Sequence, residues 1–284
     1  FSKMIAPGLM AALCLTVPLN LAGSSPANAQ AAASQDQPSE ETWNSIKGDI
    51  FKDRPVLDGS GLVMLDAPRR AEDSAIVPID MRVNFSGDDK RTLKSLTLVI
   101  DENPAPVAGT FTVGPRSGVT SISTRVRVNS YSYVRLIAEL SDGKLYGVKT
   151  FVKASGGCSA PAAKNLDEAK NKLGQMRFRQ FTRTDAVPDN GAREAQIMIR
   201  HPNNSGLQMD QLTHLYIPAF FINELRVWQD DKPLLAMEGG ISISEDPNIR
   251  FTFVPKDAKR FRVAVKDTDG YLYQREWPAE TAAM

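Results

Sequence analysis

A chain of 284 residues with 34 basic and 33 acidic side chains carries a formal net charge of only +1. That balance gives no electrostatic reason to expect nucleic acid or an anionic membrane surface as partner. Hydrophobic residues make up 42% of the chain, enough at this length for two modest packed domains.

Residues 1–29 have the layout of a secretory signal. Lys3 is their only charge, an apolar run extends from Met4 to Ala22, and Ala27-Asn28-Ala29 places small residues where a signal peptidase reads. Pro7, Gly8 and Pro18 interrupt the run and argue against a membrane-spanning helix, which needs about 20 apolar residues. Leu13, directly before Cys14, argues against lipid attachment there. Cleavage near Ala29 would leave 255 residues with 33 charges of each sign. Membrane insertion is not expected, because no run of membrane length follows the signal.

Residues 30–38 are small and polar and predict a disordered segment. Trp43, Ile46, Ile50 and Phe51 then recur at helical spacing, predicting a helix over 40–52 with Ser39 as N-cap. Short apolar stretches of strand length follow at Leu62–Leu65, Ile76–Phe85, Leu93–Ile100, Gly109–Val113, Ser121–Val128, Tyr133–Leu140 and Leu145–Val152. Turn residues separate them, with Asp142-Gly143 a hairpin signal. In Thr124-Arg-Val-Arg-Val128 the alternation sends Val126 and Val128 to one face and both arginines to the other. Such a series predicts an immunoglobulin-like β-sandwich over 39–153.

Residues 154–174 read as a linker. A second strand series occupies 175–284: Met176–Phe181, Ala195–Ile199, Tyr216–Val227 interrupted by Pro218, Leu234–Met237, Ile249–Val254, Arg260–Lys266 and Tyr271–Trp277. The fold class is all-β, two immunoglobulin-like sandwiches in tandem with a short N-terminal helix.

Most candidates for chemistry dissolve. His201 and His214 have no carboxylate or cysteine nearby at ligand spacing, so no metal site is expected. Asp267-Thr-Asp-Gly270 starts like a calcium loop but lacks the closing Glu, and reads as a hairpin turn. No phosphate-binding loop or nucleophile elbow occurs, and an enzyme is not expected. One feature remains. The chain has two cysteines, and removal of Cys14 with the signal leaves Cys158 without an internal disulfide partner in an oxidising compartment. Either Cys158 is a bystander in a linker, or it is a working thiol that Gly156 and Gly157 present on a slim, flexible arm.

The chain also resembles a known family. Asp101-Glu-Asn-Pro-Ala-Pro-Val107, Ser123-Thr-Arg-Val-Arg-Val128, Asp142-Gly-Lys-Leu-Tyr-Gly147 and Gly156-Gly-Cys158 are similar to SoxY. His201-Pro with Ser205-Gly-Leu207, Ile217-Pro-Ala-Phe-Phe-Ile222 and Ser244-Glu-Asp-Pro-Asn-Ile-Arg-Phe251 are similar to SoxZ. These are the two subunits of the periplasmic sulfur carrier of bacterial thiosulfate oxidation, here joined in one chain. The resemblance implies a periplasmic carrier that binds sulfur intermediates covalently on Cys158, with Gly156 and Gly157 as the arm. No cofactor is implied beyond a covalent sulfur adduct on Cys158. Implied partners are periplasmic redox enzymes, either Sox-type sulfur enzymes or a quinoprotein dehydrogenase with its cytochrome. In the second case the chain would be a non-covalent accessory in which the cysteine is not essential. Two departures stand out. The Gly-Gly-Cys arm, a free C-terminus in SoxY, runs on here through Ser159-Ala-Pro161. Asn203-Asn204 also replaces the Met-Glu usual in SoxZ. The family's heterodimer implies that the two sandwiches pack together, with Cys158 exposed near the interface rim. The apolar surplus of Tyr216–Ile222 fits either a contact of part of that run with the first half or Phe220 and Phe221 filling their own core.

Overall fold

The computed structural model describes residues 39–161, 171–181 and 191–280. The signal expected at 1–29, the disordered segment expected at 30–38 and part of the expected linker lie outside these residues. No helix among the described residues is long and apolar enough to cross a membrane.

The first element is α1 (Glu41–Phe51). Its apolar stripe buries Trp43 and Phe51, with Ile46 and Ile50 half-buried, against Val99, Ile137 and Leu145. The Ser39 hydroxyl accepts the Glu41 N–H at 3.1 Å. Glu40 nevertheless holds the N-cap position expected for Ser39, because its carbonyl takes the Asn44 N–H. The Glu40 side chain is drawn away to Arg135 and Lys149, and Arg135 lies over the Trp43 ring at 4.5 Å.

Eight strands follow in the first half: β1 (Val56–Asp58), β2 (Val63–Asp66), β3 (Val77–Val83), β4 (Leu93–Ile100), β5 (Val107–Val113), β6 (Ser121–Val126), β7 (Ser132–Leu140) and β8 (Leu145–Val152). Among the described residues of the second half seven more occur: β9 (Met176–Phe181), β10 (Arg193–Ile199), β11 (Ile222–Gln229), β12 (Lys232–Gly239), β13 (Asn248–Phe253), β14 (Arg260–Asp267) and β15 (Leu272–Pro278). Alternation is plain in β3, where Val77, Ile79, Met81 and Val83 are buried and the residues between them are not. The three-residue β1, parallel to β8, has too little pattern to be legible in sequence.

One expected strand is corrected. Tyr216–Val227 does not run as a single strand, since β11 begins only at Ile222. Pro218 has no N–H to give a ladder. The segment before Ile222 is instead held by the Asn204–Phe220 and Met209–Tyr216 bridges.

The two sandwiches are fused layer to layer. One sheet has the order β1-β8-β7-β4-β5-β12-β11-β14-β15, the other β2-β3-β6-β13-β10-β9. β5 meets β12 over Val113↔Leu235 to Gly109↔Gly239, and β6 meets β13 at Ser123↔Arg250 and Ile122↔Phe251. Each half thus loses an open edge in both layers, which removes unpaired backbone groups. Gly114 sits at this seam because a Cβ there would lie 1.9 Å from the Pro233 carbonyl oxygen. One apolar cluster spans both halves, from Val63 to Val265. The expected packing of the halves is therefore an edge-to-edge union. Tyr216–Ile222 is not its contact surface: Leu215 and Tyr216 are exposed, and Phe220 lies on the His201 ring at 4.5 Å.

Cutting the chain at a protease site inserted between residues 161 and 171 should leave the halves co-eluting in gel filtration. Phe111, fully buried opposite Met237 at the seam, supplies the second check. Phe111→Ala should cost about 3–5 kcal/mol and lower a single unfolding transition read in both halves. Two separate calorimetric transitions, only one of them shifted, would contradict the shared core.

Candidate functional site

The seam also organises the segment that carries Cys158. β6 ends at Val126, and the chain beyond it leaves the regular alternation. Arg125 stays on the outer face, but Arg127, expected beside it, turns inward and is 2% exposed. Its Nη1 donates to the Ile243 carbonyl at 2.6 Å, and its backbone N–H donates to the Ser242 carbonyl at 2.7 Å. A buried guanidinium needs such acceptors to offset lost hydration. Asn103 stiffens the same turn: its Nδ2 donates to the Arg127 carbonyl at 2.7 Å and to Ser242 Oγ at 2.9 Å, while its Oδ1 accepts the Asn129 N–H at 2.8 Å.

The Cys158 turn is seated on this shelf. Gly156 N–H donates to the Asn129 carbonyl at 2.8 Å and Gly157 N–H to the Val128 carbonyl at 3.2 Å. Cys158 N–H donates to Asn129 Oδ1 at 3.3 Å. Gly156 has φ +74°, a left-handed conformation that favours glycine. A Cβ at Gly157 would lie 2.1 Å from the Ser74 carbonyl oxygen and 2.6 Å from that of Val128. The two glycines expected to make the arm mobile therefore fit it closely to the protein instead.

The second half closes over the turn. Ser205 Oγ donates to the Cys158 carbonyl, and Gln208 Nε2 donates to the Ala160 carbonyl at 3.0 Å. Both side chains belong to a loop positioned from His201. The His201 Nδ1 accepts the Asn203 N–H at 3.1 Å, so its Nε2 carries the proton and faces Asp267 Oδ2 at 3.6 Å. Tyr273 donates to that same oxygen at 3.0 Å. Burial pushes His201 below the usual histidine range and keeps it neutral despite Asp267. Asn203 adopts a left-handed φ of 45°, which asparagine tolerates, and bonds Ile243 and Ile222. His214 stands apart in an exposed stretch of the chain. No group of three or more metal-ligating side chains occurs among the described residues.

Cys158 is fully buried, which corrects the expected exposed thiol. The physical reason is the continuation of the chain: a segment tethered at both ends is laid into the seam and clasped there by the second half. Burial pushes the thiol up to about 11, against the smaller opposing pull of the Arg127 charge. A thiol in that state is a poor nucleophile at neutral pH. Arg127 escaped sequence reasoning because strict alternation assigned it to solvent. The cue available was its place after a strand and before Asn129-Ser130, where alternation need not continue.

Comparison with known proteins gives two family matches. Residues 47–158 match the model of the sulfur oxidation protein SoxY, and residues 182–278 match that of the sulphur oxidation protein SoxZ. None of the curated proteins compared with the chain matches it. Among solved structures, the sulfur carrier protein SoxY from Chlorobium limicola f thiosulfatophilum is 23% identical, with 40% of this chain and 97% of that one covered at a TM-score of 0.34. A superoxide reductase (neelaredoxin) from Ignicoccus hospitalis is 10% identical, covering 32% of this chain and 79% of its own at 0.29. Overlaps of that size say nothing of function.

The raised thiol gives a stability test. In the unfolded chain the thiol loses its proton near pH 9, whereas in the folded chain it does so near 11. The folded state therefore binds more protons between these values, and stability falls as pH rises through them. The contribution is complete below about pH 9, and the loss above it reaches on the order of 3 kcal/mol. Cys158→Ala should flatten that alkaline decline in thermal melts relative to the parent chain, and an unchanged decline would count against the buried thiol.

Proposed function

We propose that this chain, which belongs to the SoxY and SoxZ sulfur oxidation families fused in tandem, carries sulfur intermediates covalently on Cys158 for periplasmic redox partners. The observation that carries the reading is the position of Cys158 at the end of the SoxY half. It lies on a glycine turn to which, among the described residues, the SoxZ half gives side-chain hydrogen bonds from Ser205 and Gln208. Loading requires the turn to leave its seat. The bonds to be broken are neutral hydrogen bonds, those from Ser205 and Gln208 and those of the turn to Val128 and Asn129, each worth about 1 kcal/mol net, so opening is a local event costing on the order of 5 kcal/mol. In the open state the thiol regains water and ionises more readily.

The chemistry of loading constrains the partner. Joining the cysteine thiol to thiosulfate through a new S–S bond releases one proton and two electrons. A partner that accepts electrons is therefore required, and this chain supplies the attachment point rather than the oxidant. Closure afterwards shields the bare thiol from the oxidation that exposed cysteines undergo.

A second reading draws on the burial itself. A thiol fully covered and pushed up to about 11 suits a structural residue, as in a non-covalent accessory of a quinoprotein dehydrogenase system. Deletion of the whole chain, compared with Cys158→Ser, separates the two readings through dehydrogenase-dependent growth.

Intact-mass spectra of chain isolated from its periplasm during thiosulfate oxidation should show adducts that a reductant removes and that are absent in Cys158→Ser. An unmodified mass in every sulfur-supplying condition would refute the carrier. Opening has its own readout. Ser205→Ala combined with Gln208→Ala should speed labelling of the native thiol at pH 7 roughly tenfold or more, consistent with two lost hydrogen bonds.

A further inference from the structure

A cleft of about 820 Å³ opens between the halves, with Arg125 and Ile76 from the first and residues of β9, β10 and β15 from the second. Among the described residues its wall carries Arg125, Lys172, Arg177, Arg200 and Arg275 beside two carboxylates, Glu245 and Asp246. Asp246 is engaged, since it pairs with Arg200 and its Oδ1 accepts the His201 N–H at 3.1 Å. Arg177 sits on the outer face of β9 in register with Met198. Among the described residues, Arg275 Nη1 donates to the Met176 carbonyl at 3.3 Å and the side chain is exposed. Most tellingly, Arg125 spends its Nη2 on the Asp246 carbonyl at 3.0 Å but leaves its buried Nε–H with no acceptor. That buried, uncompensated guanidinium edge adds to the positive potential of the wall, which an anion in the cleft would lower.

We propose that this cleft binds a small, doubly charged tetrahedral oxyanion, with Arg125, Arg177 and Arg275 as its principal donors. Planar guanidinium groups match two oxygens of such an anion at once, which a lysine cannot do. The cleft adjoins the carrier turn through its backbone. Ile76 lies two residues from Ser74, whose carbonyl packs on Gly157, and Arg125 lies two residues from Arg127. The choice of sulfur oxyanions as the ligands of interest rests on the carrier reading; the anion site itself does not.

Calorimetric titration of the full chain with sodium thiosulfate and with sodium sulfate, at fixed ionic strength held with chloride, tests the site. Saturable binding is expected, weakened at least roughly tenfold in the Arg177→Gln, Arg275→Gln double variant and retained in Cys158→Ser. Both arginines are exposed, so circular dichroism should show the double variant folded, and Arg125→Gln serves as a second probe. Heats that do not saturate, or binding indifferent to all three arginines, would overturn the site. Binding lost in Cys158→Ser alone would assign the anion to the thiol. Capture of polyglutamate without competition from sulfate would make the surface a dock for an acidic protein, and the oxyanion site would likewise fall. The carrier can fail by mass spectrometry while this site stands, and the reverse also holds.

Discussion

Everything at the site depends on the pairing of two sheet edges, β5 with β12 and β6 with β13. Each sandwich alone would expose two edges and half of an apolar interior. Joined, they share one core and each layer runs on as one continuous sheet. The seam is also where regular structure stops being possible. β6 runs out at Val126, and the polar backbone released there needs partners inside a largely apolar environment. Asn103, Arg127, Asn129 and Ser242 satisfy it, and the Cys158 turn is built on the carbonyls they leave over.

Seen in this way, the motifs that run through both halves are one construction. Asn103 braces the 127–129 turn, Ser244 donates to the Ala75 carbonyl at 2.7 Å, and Asp246 fastens His201. His201 in turn sets the loop from which Ser205 reaches Cys158. Residues from Ala75 to Asp246 therefore belong to one frame that supports a buried sulfur. Asp101 belongs to a separate device: it pairs with Arg135 at 2.8 Å, under the ion pair and ring that hold α1 to the outer sheet face.

Strand content, the helix and the tandem sandwiches were legible because alternation and helical spacing are local signals. The failures share one cause, which is that tertiary neighbours decide what alternation cannot. Arg127 read as solvent-facing and is buried by a turn. Tyr216–Phe221 read as strand, but Pro218 breaks the ladder and Phe220 finds His201. Gly156 and Gly157 read as freedom. One instead supplies a left-handed backbone and the other a close approach to Ser74, both properties of glycine that a sequence cannot tell from mobility. The continuous sheets were invisible too, because nothing in β5 or β12 alone names the partner edge.

The seam has a consequence for how this molecule behaves when scarce. Two separate chains sharing one core would be held together only by mass action, and dilution would strip the interior open. A covalent connection turns that encounter into an intramolecular one, with an effective concentration in the millimolar range for a short linker. Integrity then no longer depends on how many copies are present. It also means that each clasp over a thiol is always supplied by the same molecule, so neither half can be exchanged to leave a sulfur uncovered.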